Sequence, residues 1–210
     1  RGFESLPFRQ KVKEMIFMIT KENSVILVAI NDELPKNKLP GWNIQYTGVG
    51  KVNAAYQTMR NIVAHKPDII INFGSAGAVK SGISGLVQVK KVIQRDIDLQ
   101  GLGFELGQTP FEIGEDSFVL QDCSQIDNNL TRTKVLCSTG DNFVFEKPKL
   151  DSDIVDMELY AIAKVSSRES IPLYSWKFIS DYVDGGAPND WEQNVGKGVL
   201  EFKNSVLSQI

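Results

Sequence analysis

The chain has 210 residues, of which 42% are hydrophobic and 23% charged, the length and balance of one globular domain with a real core. A net charge of −3 argues against a partner held mainly through phosphates, so no nucleic acid is expected. No apolar run approaches the roughly 20 residues that cross a bilayer and no secretory leader is visible, which reads as a cytoplasmic protein without a membrane partner. The single histidine, His65, and the two cysteines, Cys123 and Cys137, support neither a zinc site, nor a disulfide framework, nor a histidine-dependent triad.

Residues 1–21 show no clean period and are set apart as an extension of uncertain nature. Met15 and Met18 are candidate starts, Gly2-Phe3-Glu4-Ser5 reads like translated transfer-RNA sequence, and a tag remnant or a short ordered extension is an equal alternative. Residues 22–210 are read as one domain. Val25 to Ile30 is a short, β-branched apolar run, as expected of a strand buried on both faces. Ile44 to Thr47 is a second strand, followed by Gly48-Val49-Gly50 and a helix with Val52, Ala55, Met59 and Ile62 at helical spacing. Asp68 to Phe73 makes another buried strand, and Gly74-Ser75-Ala76-Gly77 after it reads either as a simple turn or as a place where the backbone approaches a small molecule closely. Further strands are expected over Leu86 to Ile93, Thr133 to Cys137 and Leu173 to Ser180, with a glycine-punctuated loop from Gly101 to Gly114. Helices are expected from about Met157 to Arg168 and from Asn189 onward, where Asn189 and Glu192 form a capping-box pattern and Trp191, Val195, Val199, Phe202 and Val206 form an apolar stripe. Buried strands separated by helices imply a single three-layer α/β domain with a central mixed or parallel sheet.

The informative residues are acids in apolar company. Glu158 shares a helical face with Ala161, Ile162 and Val165, so it turns inward and needs a donor, or else it is a helix-start acid that stays wet. Asp181 and Glu33 each follow a strand, where open α/β sheets collect ligands, although a solvated turn acid is the commoner outcome for either alone. The glycine segments are neither a dinucleotide fingerprint nor a P-loop. Phe143 is placed to stack on a flat base or to fill core, and His65, before Lys66-Pro67, reads as a helix-terminus residue.

Taken in order, Val28-Ala29-Ile30-Asn31-Asp32-Glu33, Thr47-Gly48-Val49-Gly50-Lys51-Val52-Asn53-Ala54-Ala55, Ile71-Asn72-Phe73-Gly74-Ser75-Ala76-Gly77, Gly103-Phe104-Glu105-Leu106-Gly107-Gln108-Thr109-Pro110, Ser138-Thr139-Gly140-Asp141-Asn142-Phe143, Asp156-Met157-Glu158 and Phe178-Ile179-Ser180-Asp181 resemble the 5′-methylthioadenosine/S-adenosylhomocysteine nucleosidases of the purine nucleoside phosphorylase superfamily. The resemblance implies a nucleoside phosphorylase-like fold and hydrolysis of the N-glycosidic bond between adenine and a 5′-thio-ribose, with no metal and no organic cofactor. It implies that Asp181 protonates N7 of adenine and Glu33 activates the attacking water. Glu158 would bind the ribose hydroxyls and Met157 pack on the sugar. Phe143 would stack on the purine, the backbone of Val144 read its edge, Ser75 stand beside the water and Ser180 contribute to substrate binding. Leu102, Phe104 and Pro110 match a loop that completes the neighbouring subunit's 5′ pocket, which implies a homodimer whose other partner is a small purine nucleoside.

Two alternatives stay open beside this one. A phosphate-dependent purine nucleoside phosphorylase shares the fold, but Asn72 and Phe73 precede Gly74 where phosphorylases carry an arginine, and Asn31-Asp32-Glu33 stands in place of their phosphate loop; an anion there repels phosphate. A non-catalytic nucleoside-binding protein of the same fold has no need of all three acids. Lys177 stands where bacterial nucleosidases often carry arginine, and inosine-like or futalosine-like substrates stay open.

Overall fold

A computed structural model describes residues 19–111, 116–122, 133–184 and 187–208. The readings of residues 1–18, Gly114, Cys123 and Gly185-Gly186 lie outside the described residues. The elements run β1 (Ser24–Val28), β2 (Ile44–Tyr46), α1 (Lys51–His65), β3 (Ile69–Ala78), β4 (Leu86–Gln94), β5 (Ser117–Val119), β6 (Lys134–Thr139), β7 (Ile154–Asp156), α2 (Leu159–Arg168), β8 (Leu173–Tyr182), α3 (Ala187–Asn194) and α4 (Gly198–Phe202).

The strands form one mixed sheet in the order β2-β1-β3-β7-β6-β4-β5, and β8 pairs with both β3 and β4. That double pairing closes β3, β7, β6, β4 and β8 into a ring, a curling that the linear pattern of strands and helices does not reveal. Alternation along the strands decides which side each residue serves. Val25, Leu27 and Ile70 face one core with Ala54 and Ile62 of α1 and Leu159 and Ile162 of α2. Ile26, Val28, Ile69, Ile71 and Phe73 face the other, against Val199 and Phe202 of α4, where the Phe73 and Phe202 rings stack at 4.3 Å. The α/β domain with a mixed sheet between helices is therefore present, and both faces of its central strands are apolar because both are covered. No helix among the described residues is long and apolar enough to cross a membrane.

Several local expectations are corrected. Gly74 to Gly77 lie inside β3 rather than in a turn, because β8 extends the ladder alongside them. In α1 the buried face is Ala54, Thr58, Asn61 and Ile62, while Val52 and Met59 are exposed; Thr58 and Asn61 satisfy their buried polar atoms by bonding the carbonyls of Ala54 and Gln57 one turn back. The last helical region starts at Ala187, so Asn189 lies within the first turn instead of capping it. It breaks before Gly198, whose α-carbon packs so closely on the Phe178 ring that an added Cβ would lie 2.5 Å from it. The sequence pattern does not pick out β5 and β7, which are three residues long like β2, which it does pick out.

Candidate active site

A cleft with room for about 460 Å³ opens at the ends of β1, β3, β6, β7 and β8. Glu33, Ser75, Phe143, Val144, Met157, Glu158, Ser180 and Asp181 all line it, so the chain brings eight of the expected site residues together from five separate segments. Leu102, Phe104 and Pro110 are not among its lining residues; Leu102 is exposed, and the Phe104 ring meets Phe111 edge-on at 5.6 Å. His65 is the exposed last residue of α1, away from the cleft.

Glu33 stands in the turn after β1 and is buried. Its Oε1 accepts the backbone N–H of Ser75 at 2.7 Å and the Ser75 hydroxyl at 2.6 Å, and its Oε2 accepts the N–H of Ala29 at 3.2 Å. Gly74 makes this approach feasible, since a Cβ there would sit 3.2 Å from Glu33 Oε1 and 3.3 Å from Lys177 Nζ.

Asp181 lies inside β8, not after it. Between Ala76 and Gly77 the β3–β8 register slips by one residue, so that Ile179 pairs with Ala76 and Asp181 with Gly77. Such a bulge re-aims side chains at a sheet's functional end. Gly77 leaves the space for the carboxylate, because an added Cβ would come within 2.8 Å of Asp181 Oδ2. Oδ1 accepts the Ser180 hydroxyl at 2.6 Å. Burial raises the Asp181 carboxyl above the usual range; the Ser180 bond pulls against that rise, and nearby Asp190 and Asp184 add to it.

Glu158 immediately precedes α2, which starts two residues later than the sequence pattern suggests. It is buried, and its Oε1 accepts the Gly50 N–H at 2.9 Å. Gly50, at φ 90°, takes a conformation that glycine adopts without strain and aims this N–H at the acid. Burial, with Asp156 adding negative charge, pushes Glu158 up to about 7.

Beneath these acids lies a buried ion pair. Lys177 Nζ meets Asp156 Oδ2 at 2.8 Å, and both side chains are almost wholly excluded from solvent. Asp156 also accepts the Thr139 hydroxyl at 2.5 Å and the Leu159 N–H at 2.9 Å. Burial alone lowers the Lys177 ammonium and raises the Asp156 carboxyl, but each partner reverses the trend for the other, so both stay charged. Arg95, at the end of β4, donates to the carbonyls of Ser138, Asp156, Gly140 and Asn142 and fixes the segment that carries Phe143 and Val144.

Arg95, Asp156, Trp191 and Glu192 also line the cleft, and none of them was assigned a role from the sequence. Lys177 carried a usable signal, a lysine inside a strand of large residues, which has to meet a carboxylate if it is buried. Trp191 read as part of the apolar core stripe, but the break after α3 turns it into the cleft.

The sequence profile of the Phosphorylase superfamily matches residues 41–208. The 5′-methylthioadenosine/S-adenosylhomocysteine nucleosidase of Buchnera aphidicola subsp. Acyrthosiphon pisum (strain Tuc7) is 37% identical over 164 residues, spanning 71% of each chain. Two solved structures share the fold: the nucleosidase of the same name from Colwellia psychrerythraea 34H, in complex with adenine, at TM-score 0.77, 23% identity and 89% and 93% coverage of this chain and that one, and the futalosine hydrolase of Helicobacter pylori strain 26695 at TM-score 0.79, 19% identity and 89% and 97% coverage. With a superfamily profile over most of its length and a relative this similar, the chain belongs to the 5′-methylthioadenosine/S-adenosylhomocysteine nucleosidase family of the phosphorylase superfamily.

Proposed function

We propose that the chain hydrolyses the N-glycosidic bond of 5′-methylthioadenosine, S-adenosylhomocysteine or both, releasing adenine, with Asp181 as the acid at N7 and Glu33 activating water. The observation that carries this reading is the convergence of Glu33, Glu158 and Asp181 on one cleft beside the Phe143 ring. Departure of adenine leaves an oxocarbenium-like sugar. A proton on N7 makes the base a better leaving group, and carboxylates near the ribose stabilise the developing positive charge. Asp181 is suited to hold that proton because burial favours its neutral form. Turnover therefore falls as pH rises through the elevated Asp181 pKa. Glu33, fixed by three donors, presents its carboxylate to a water on the sugar's reacting face. Glu158 accepts from the ribose hydroxyls, Met157 packs on the sugar, Phe143 stacks on the purine, the Val144 backbone reads its edge, and Ser75 and Ser180 hold the two working acids. This chemistry needs no metal or organic cofactor.

The domain over 22–210, a homodimer and a cytoplasmic location belong to the same proposal. The dimer is supported by exposed apolar residues on α1, namely Val52, Tyr56, Met59 and Val63, together with exposed Leu102 and Phe111. In the dimer Leu102, Phe104 and Pro110 complete the partner's 5′ pocket. The cytoplasmic reading draws on the buried free thiol of Cys137.

The test is chromatography of methylthioadenosine, adenosylhomocysteine, adenosine and inosine incubations with and without phosphate. Adenine and free sugar appear without phosphate if the reading holds; strictly phosphate-dependent formation of a sugar 1-phosphate identifies a phosphorylase, and binding without base release a non-catalytic protein. Asp181→Asn lowers turnover about a hundredfold or more while the fold survives, and near-normal turnover in that variant removes Asp181 from the acid role.

A further inference from the structure

Trp191 projects from α3 into the cleft, and its indole Nε1 donates to Ser75 Oγ at 3.0 Å. Ser75 Oγ in turn donates to Glu33 Oε1 at 2.6 Å. The direction of this chain is forced by the groups themselves. An indole nitrogen only donates, so the serine oxygen accepts there, and its single proton is left for the carboxylate. One turn further along α3, Asn194 Nδ2 donates to the carbonyl of Ser180 at 2.7 Å, next to the hydroxyl that holds Asp181. Residues three apart on a helix share a face, so one face of α3 reaches both β3 beside Glu33 and β8 beside Asp181.

We propose that Trp191 is a positioning residue, acting through the Ser75 hydroxyl to hold the Glu33 carboxylate at the reacting position, on a helix that Asn194 braces against the Asp181 strand. The assignment rests on the reading of Glu33 as the group that activates water. The Trp191 N–H occupies one of the two lone pairs of Ser75 Oγ and fixes the rotor of its proton. A water in the cleft then meets an oriented carboxylate rather than a freely turning hydroxyl that competes for its protons. Orientation of this kind acts on the chemical step more than on substrate affinity.

The experiment measures kcat and KM for 5′-methylthioadenosine with the full chain and with Trp191→Phe, Ser75→Ala and the double variant. Phenylalanine keeps an aromatic face in the cleft while deleting the donor together with part of the indole's bulk, and the double variant separates the two effects. The expected result is a fall in kcat of about three- to tenfold for Trp191→Phe, with KM within about twofold. In the Ser75→Ala background the same change has no further effect, because the intermediary is gone. An unchanged kcat, a rise in KM alone, or losses that multiply in the double variant overturns the proposal, since each means that the ring only packs in the cleft. If the unaltered chain releases no adenine, the hydrolase reading fails first; if it is active and Trp191→Phe matches it, only the positioning role fails.

Discussion

Glu158 illustrates how a single side chain trades stability for function. Its carboxyl is pushed up to about 7 by burial and by Asp156, against 4.5 for the ordinary group. Between those values the folded chain holds a proton that the unfolded chain has released, so stability falls as pH rises across this window and is level above it. Glu158→Gln removes the penalty while keeping an acceptor for the Gly50 N–H. The variant is expected to be more stable than the parent by about 1–3 kcal/mol at pH 8 and nearly equal to it at pH 4. Thermal melts at the two pH values measure this, and the same variant loses at least about tenfold in kcat/KM because the neutral amide stabilises no positive charge on the sugar. Lys177 and Asp156 show the opposite arrangement. Each is tolerable inside only because the other is there, which makes the pair a foundation for the site rather than a source of net stability.

At the scale of elements, β3 and β8 set the distance between the acids. Gly74 and Gly77 are strand residues whose missing side chains give Glu33, Lys177 and Asp181 their places. Gly77→Ala keeps an allowed backbone but forces Asp181 Oδ2 or Val155 aside, and about a tenfold or greater loss of kcat is expected with near-normal thermal stability; unchanged steady-state turnover contradicts it. These two elements also show what the sequence discloses and what it withholds. The acids were legible because charge in apolar company requires a partner. The strand ends are not, because Gly-Ser-Ala-Gly has turn composition and it is the ladders from β8 and, at Gly77, β7 that hold it extended. The one-residue slip that aims Asp181 is a property of two strands together, and no single segment carries it. Likewise the helical period discloses α1, but of the apolar positions in that period, Val52, Ala55, Met59 and Ile62, only Ala55 and Ile62 pack on the core. Val52 and Met59 look like core until Thr58 and Asn61 are seen to satisfy themselves on their own helix.

For the whole molecule, those exposed α1 side chains are the feature a monomer does not explain. Val52, Tyr56, Met59 and Val63 present an apolar surface to solvent, as an association face does. On the proposed dimer, Met59→Glu combined with Val63→Glu shifts the chain to monomer in sedimentation experiments at micromolar concentration, without unfolding it. On the proposed dimer, turnover of 5′-methylthioadenosine drops with it, since Leu102, Phe104 and Pro110 would no longer complete the neighbouring pocket. A parent chain that sediments as a monomer at every concentration removes the dimer from the proposal.

The ring closed by β8 has a bearing on how the protein is made. β8 follows every other strand of the sheet in the chain, yet it covers an edge of β3 and pairs with β4. While the ribosome is still translating earlier residues, Ile69 and Ile71 have their β1 neighbours on one side of β3, but the side that β8 will cover, and Phe73 with it, has no partner yet. The acids share this dependence, because Asp181 and its bulge arrive with the same strand. A nascent chain stalled or cut before residue 173 thus has no working cleft and an open, apolar sheet edge of the kind that seeds aggregation. Synthesis of this enzyme has to pass through β8, Leu173–Tyr182, before the centre of the fold can exist.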